Sequence, residues 1–130
     1  MGAAVVNVRA AQPVIATLSV APNPASTIVG GTQPFIAVAR FIHHFLPEDS
    51  PRRAELPRLE QGGHAALGVM EQRLTSHPFL VADSYTIADI ALYAYTHVAH
   101  EGGFDLGRYP AISAWLKRVA AQPGHIRITD

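Results

Sequence analysis

The stretch SYTIADIALYAYTHVAH, residues 84–100, decides the fold of this sequence. Thr86 and Asp89 have the spacing of a capping box, in which the threonine hydroxyl accepts a hydrogen bond from the Asp89 amide and the carboxylate accepts one from the Thr86 amide. Tyr85 and Ile90 have the spacing of a hydrophobic staple around this cap. We therefore expect a helix to begin at Thr86, and we assign these four residues a structural role.

The helix that follows this cap has almost no polar face. Between Asp89 and Glu101 the sequence carries no formal charge when the histidines are neutral. A helix that is apolar nearly all round lies at the centre of its domain. Gly102-Gly103 is a typical helix end, so the sequence predicts one buried, central helix between the Thr86 cap and this glycine pair.

Three further segments have helical periodicity. Thr32 can cap the first, which Pro47 stops, and the other two cover residues 52–74 and 110–122. Each has an apolar stripe at helical spacing: Phe35, Val38, Ala39, Ile42, Phe45 and Leu46; Leu59, Gly63, Ala66, Leu67, Met70 and Leu74; Ile112, Trp115, Leu116 and Val119. The sequence thus predicts an all-α fold, a bundle of four main helices.

Two glycines interrupt the helix over residues 52–74. Each lowers helix propensity by roughly 1 kcal/mol relative to alanine. Gly63 lies on the apolar stripe, where we expect another helix to approach closely, whereas Gly62 is interpreted as a simple flaw. The opposite face is expected to be solvated, and it carries Glu60, Glu71, Gln72 and Arg73.

The first part of the chain differs in character from the rest. Residues 1–31 have no helical periodicity, and Asn23-Pro24 is typical of a turn. We expect a non-helical segment here, either two short strands or a loose tail, followed by a helical domain over residues 32–130. The apolar run at residues 10–21 weakly imitates a secretory signal, but Pro13 interrupts it and only Arg9 precedes it, so we expect a cytoplasmic protein.

Composition excludes several classes of function. Ten basic and ten acidic residues cancel, which leaves no net field for nucleic acid or an acidic membrane. The sequence has no cysteine, so disulfides, thiolate catalysis and cysteine-ligated zinc are excluded, and a reducing compartment fits.

Several motifs resemble one family when they are taken in order. PFLVADSYTIADI, residues 78–90, is similar to the loop and capping box before the core helix of glutathione S-transferases. QPFIAVARF, residues 33–41, resembles the later part of the first C-domain helix in bacterial members. The rest of that domain is matched by FDL at 104–106, YPAI at 109–112, WL at 115–116 and AQPG at 121–124. The resemblance covers residues 33–128 and implies the family's C-terminal all-helical domain.

The resemblance also implies what this chain lacks. Family members place glutathione on an N-terminal thioredoxin-like domain, beside a cis-proline and a Glu/Gln-Ser pair. A βαβ crossover alone takes about 30 residues, so residues 1–31 are too few for that domain. The resemblance therefore implies glutathione as the family's cosubstrate, but no catalytic residue and no cofactor in this chain alone. We expect an inactive, truncated or frame-shifted form.

The resemblance assigns substrate binding to the first C-domain helix. Phe35, Arg40, Phe41 and His43 lie on the element that lines the hydrophobic substrate pocket in the family. The residues themselves favour a simpler interpretation, in which Phe35 packs in the core while Arg40 and His43 are solvated. Both interpretations stay open at this point.

No metal site is expected. His97, His100 and Glu101 can share a helical face, but no third ligand is identifiable beside the histidines, and the order is not that of a zincin.

Three functions remain from the sequence. The first is the substrate-side domain of a glutathione S-transferase, whose family chemistry is conjugation or glutathione-dependent reduction. It would bind a hydrophobic small molecule and pair as a homodimer or with a separate thioredoxin-like domain. The second is a non-catalytic helical protein-interaction module, and the third is a gene fragment. Fold class alone does not choose among them.

Overall fold

The computed structural model describes residues 24–130 except Ala82, with side chains from Pro34 onward. Its four α-helices are α1 (Pro24–Phe45), α2 (Leu56–Ser76), α3 (Ile87–Thr96) and α4 (Pro110–Ala120). Short 3₁₀ turns cover Pro51–Glu55, Ala99–Gly102 and Leu106–Arg108. Within the described part of the chain, extended structure is limited to an isolated bridge between Val81 and Ser84. The predicted all-α bundle of four main helices is confirmed.

Helix α1 begins earlier than the sequence predicted. It starts at Pro24, so neither the turn expected at Asn23-Pro24 nor the cap expected at Thr32 marks its beginning, and the prediction of a non-helical segment is wrong for residues 24–31. A proline is well tolerated in the first helical turn, where its missing amide hydrogen has no partner in any case. Residues 1–23, the remainder of that segment, lie outside the described residues.

Helices α1 and α2 pack through their apolar stripes. Ile36, Ala39 and Ile42 of α1 are fully buried, and they join one core whose other large, fully buried side chains are Leu67, Met70, Leu80, Leu92, Phe104, Ile112, Trp115 and Val119. Packing of this kind supplies most of the stability of a helix. Helix α1 also contains Gly30, Gly31 and Pro34, which precede its buried stripe.

The two glycines of α2 both make room for aromatic rings. A Cβ on Gly63 would overlap the ring of Phe104, and a Cβ on Gly62 would overlap the ring of Phe35. Interpreting Gly62 as a flaw was therefore wrong, because its bare backbone accommodates a side chain of α1. The close neighbour of Gly63 is a ring that follows a 3₁₀ turn, not another helix as expected.

Helix α3 is shorter and less enclosed than the sequence predicted. It ends at Thr96, and the chain then turns through Ala99–Gly102. This turn brings Gly102 against α1, where an added Cβ would lie 3.2 Å from the backbone nitrogen of Arg40. Leu92 is buried, but Ile90 is 54% exposed, so α3 is buried on one side only.

None of the helices described here is both long and apolar enough to cross a membrane.

The packing around Gly63 makes a testable prediction. Replacing Gly63 with alanine should destabilise the protein by about 1–3 kcal/mol, because the added Cβ overlaps the ring of Phe104, which is buried in the core and would have to shift. Gly68, on the same helix, has open space around it, so Gly68→Ala should stabilise by roughly 0.5–1 kcal/mol through helix propensity. Urea unfolding of both variants measures this, and two effects of equal sign would contradict the packing.

Candidate functional site

A buried carboxylate organises the start of α3. Asp89 is fully buried, and its Oδ1 accepts hydrogen bonds from the Leu80 amide at 3.1 Å and from the Trp115 indole at 2.8 Å. Its Oδ2 accepts from the Thr86 amide at 2.9 Å and from the Thr86 hydroxyl at 3.3 Å. Thr86 Oγ1 in turn accepts from the Ala88 amide at 3.3 Å. One side chain thus joins the preceding loop, α3 and α4.

Tyr85 and Ile90, the expected staple, lie at the edge of this cap. Tyr85 is half-buried and its ring contacts the Phe79 ring, with 5.9 Å between centroids. Ile90 is exposed, and both residues line a pocket described below.

A second carboxylate caps α4. Glu71 of α2 accepts hydrogen bonds from the amides of Ala111 and Ile112, at 2.8 and 2.9 Å, in the first turn of a helix that has no capping side chain of its own. A negative charge is favourable at a helix N-terminus, where amides lack partners. The expectation that Glu71 lies on a solvated face is therefore wrong. Arg73, from the same predicted face, donates to the Leu80 carbonyl at 3.1 Å.

The four candidate substrate residues of α1 point to different neighbours. Phe35 is half-buried against Gly62 and the core. Phe41 is 43% exposed and stacks on Phe45, with 5.7 Å between ring centroids. The Arg52 guanidinium lies over the Phe41 ring, 5.8 Å from its centroid.

Arg40 and His43 face the turn after α3. Arg40 Nε donates a hydrogen bond to the Glu101 carboxylate, and only about a fifth of each side chain is exposed, so the expectation of a solvated Arg40 was wrong. His43 is exposed and lies near Gly103, where an added Cβ would be 3.4 Å from its Nε2. The structure thus brings Arg40 and His43 to one turn, with Phe35 and Phe41 elsewhere on the helix.

The ion pair also perturbs the acidity of Glu101. The hydrogen bond from Arg40 lowers the pKa of the Glu101 carboxyl below its usual value, and the charge of the Arg40 guanidinium acts in the same direction, against a smaller opposing effect of burial. Glu101 is therefore engaged as a carboxylate.

His97 is held by its neighbour one turn earlier on α3. Its Nδ1 donates to the Tyr93 carbonyl at 2.9 Å, and its ring stacks on the Tyr93 ring with 4.7 Å between centroids. Among the described residues, no three His, Asp or Glu side chains are close enough together to hold a metal ion.

The structure contains a pocket that the sequence did not indicate. It has a volume of about 370 Å³ and lies between α3, the end of α4 and the segment after Pro123. It is lined by Tyr85, Ile90, Tyr93, Ala94, Val119, Gly124, His125, Ile126, Arg127 and Ile128. Pro123-Gly124 indicated only the end of a helix, so no sequence signal placed the following residues against α3.

Tyr93, one of the residues that line this pocket, contacts two histidine rings. His97 stacks on its ring and His125 meets it edge-on, with 4.5 Å between centroids. The Nε2 atoms of both histidines are buried without a hydrogen-bond partner. The described contacts of the two imidazoles on this side are therefore those with the Tyr93 ring. Burial raises the pKa of the Tyr93 hydroxyl, which therefore stays neutral at physiological pH.

The helical bundle, its capped central helix and this arrangement of turns define a particular class of C-terminal domain. The family model that matches is the C-terminal domain of glutathione S-transferase, over residues 34–123. The chain belongs to the glutathione S-transferase family.

Relatives of known name and structure agree with this assignment. The disulfide-bond oxidoreductase YfcG of Escherichia coli K12 is 30% identical over 95 residues, which are 73% of this chain and 43% of that protein. The crystal structure of a Pseudomonas fluorescens Pf-5 glutathione S-transferase is 50% identical, with a TM-score of 0.73, covering 82% of this chain and 55% of that one. One from Xanthobacter autotrophicus Py2 is 44% identical, with a TM-score of 0.71, covering 82% and 56%.

A more distant structure shares the fold. A glutathione transferase from Burkholderia graminis is 23% identical, with a TM-score of 0.65, covering 77% of this chain and 44% of that one, and it has two glutathione molecules bound per subunit. The chain thus spans about half the length of the proteins it matches.

The Asp89 hydrogen bonds predict a specific loss on substitution. Asp89→Asn should cost about 1–3 kcal/mol, because an NH2 group in place of Oδ2 faces the partly buried Thr86 amide and leaves it without an acceptor. Asp105 is the control, since its carboxylate accepts from the Gly107 amide at an exposed position and asparagine keeps an acceptor there. Thermal or urea unfolding compares the two variants, and similar losses would contradict this account of Asp89.

The Arg40–Glu101 pair predicts a pH dependence. Because the folded-state pKa of Glu101 is lowered, its contribution to stability is complete above the unfolded value of about 4.5 and is lost as the pH falls through the folded value. The stability difference between the native protein and Glu101→Gln should therefore shrink as the pH falls below about 4.5. Urea unfolding at several pH values measures it. Arg40→Gln should abolish the difference, and a constant difference across this range would refute the pairing.

Proposed function

We propose that this chain serves as the substrate-side helical domain of a glutathione S-transferase and does not activate the glutathione thiol by itself. The observation that carries this proposal is the family match over residues 34–123, which is a match to the C-terminal domain. It is supported by the share of the longer relatives that this chain spans, 43% of the Escherichia coli oxidoreductase.

Two family chemistries are consistent with the relatives. One relative is a disulfide-bond oxidoreductase, and the Pseudomonas fluorescens protein is a glutathione S-transferase. We therefore propose glutathione conjugation or glutathione-dependent reduction, with glutathione as cosubstrate and a hydrophobic small molecule as the second substrate.

The proposed role of this domain is supported by which of its side chains are free to contact a substrate. Phe41 offers an exposed aromatic face, whereas Arg40 on the same helix is already bound to Glu101. Thiolate stabilisation needs preorganised donors that are free to meet the developing charge. The arrangement therefore supports binding of an apolar substrate by α1 more than it supports activation of a thiol.

Exposed apolar side chains support a protein partner. Exposed large hydrophobic residues include Phe41 and Phe45 on α1, and Ile90, Ile126 and Ile128 around the pocket. Patches of this kind are typical of interaction surfaces. We propose a homodimer or a separate thioredoxin-like domain as the partner. We also propose a cytoplasmic location, because a chain without cysteine is compatible with a reducing compartment. The same surfaces favour the alternative function, a non-catalytic interaction module.

A calorimetric titration with reduced glutathione tests the proposal. The 130-residue chain should show no saturable heat of binding at millimolar glutathione, because we assign glutathione binding to the family's thioredoxin-like domain and not to this helical domain. The Burkholderia graminis enzyme, which binds glutathione, is the positive control. Saturable binding by the chain alone would overturn the proposal that the chain does not provide the glutathione site by itself. Sedimentation velocity on the same sample establishes whether monomers or dimers are being titrated.

A further inference from the structure

We propose that the pocket between α3 and the segment after Pro123 binds a small aromatic carboxylate, held by Arg127 in exchange for Asp130. This goes beyond the proposed function, because the site includes no glutathione and none of the α1 residues considered above. Three features carry the inference: the apolar walls of the pocket, an arginine among its lining residues and a carboxylate that is already paired with this arginine.

The walls of the pocket suit a flat apolar ligand. Its volume of about 370 Å³ falls within the range of small-molecule sites, about 300–1,000 Å³. Most lining side chains are apolar or aromatic, and the Tyr93 ring is held from two directions by His97 and His125. A ring that neighbours hold in place loses little freedom when a ligand packs on it.

The polar groups of the pocket suit an anion. Arg127 and His125 both line it, and no acidic side chain does. The Tyr93 hydroxyl has no hydrogen-bond partner among the residues described, and burial keeps it protonated and able to donate. An arginine presents a planar fork of donors that matches the two oxygens of a carboxylate.

Asp130 already demonstrates this recognition within the chain. Arg127 Nη2 donates to Asp130 Oδ1 at 2.7 Å, and Arg127 Nε donates to Oδ1 at 3.0 Å and to Oδ2 at 3.2 Å. The backbone amide of Arg127 also donates to Oδ2, at 3.0 Å. Both side chains are about half exposed, and ion pairs in such positions contribute little to stability. A ligand carboxylate that also packs its ring against the apolar walls can therefore displace Asp130, which acts as an internal competitor.

The test compares two ligands of nearly equal shape. 1-Naphthoate and its uncharged analogue 1-naphthamide are titrated into the full chain, without glutathione and at low ionic strength, with amide chemical shifts as the readout. We expect naphthoate to bind about tenfold more tightly, as one charge-assisted hydrogen-bonded pair allows. The shift changes should map to α3 and residues 124–128.

Two substitutions separate the role of each charge. Arg127→Gln should abolish the preference for naphthoate while leaving naphthamide binding unchanged, and Asp130→Asn should tighten naphthoate binding several-fold. Arg108→Gln, at an exposed arginine outside the pocket, is the matched control and should change neither. All three side chains are exposed, so the variants are expected to fold.

Several results would overturn the proposal. These are equal affinity for the two ligands, a preference that survives Arg127→Gln, weaker naphthoate binding in Asp130→Asn, and no saturable binding at millimolar ligand. Shift changes that follow protein concentration instead of ligand would identify the pocket as a surface covered by a second copy of the chain. Because no glutathione is present, none of these outcomes depends on the calorimetric result for the proposed function.

Discussion

The structure depends on a single buried carboxylate with four donors. A charged group removed from water is tolerated only when hydrogen bonds replace its hydration, and Asp89 receives them from the chain before α3, from the helix cap and from the indole of α4. These donors come from three separate parts of the chain. The loop, α3 and α4 therefore cannot adopt independent positions, and the core that includes Trp115 is built around this fixed point.

Local signals in the sequence predicted the parts of this arrangement that are themselves local. The Thr86–Asp89 spacing, the apolar stripe of α4 and the stripe of α2 all follow from helical geometry, and each lies within one element. The indole of Trp115 is 26 positions away from Asp89, and the amides capped by Glu71 are 40 and 41 positions away. Periodicity within a helix contains no information about partners at such distances, so Glu71 was assigned to solvent.

Other differences arose where packing outweighed propensity. Residues 24–31 were expected to be non-helical, yet α1 begins at Pro24 and continues through Gly30 and Gly31 into the buried stripe of Ile36, Ala39 and Ile42. Gly62 looked unfavourable in isolation and is required by the ring of Phe35.

The pocket beside α3 was missed for a related reason: it is formed in part by residues after the last helix, which have no periodicity from which to predict a contact. The four α1 candidates came from resemblance. The structure brings Arg40 and His43 to one turn, but Phe35 and Phe41 have other neighbours.

The link between Asp89 and Trp115 also bears on the order in which the domain can assemble during synthesis. The ribosome makes α3 before α4, so Asp89 enters solution before its indole donor exists. Until then, docking α3 would bury a carboxylate with part of its hydration unreplaced, and water remains the better partner. The nascent chain should therefore keep α1, α2 and α3 loosely associated, and it should close in one step once α4 is available.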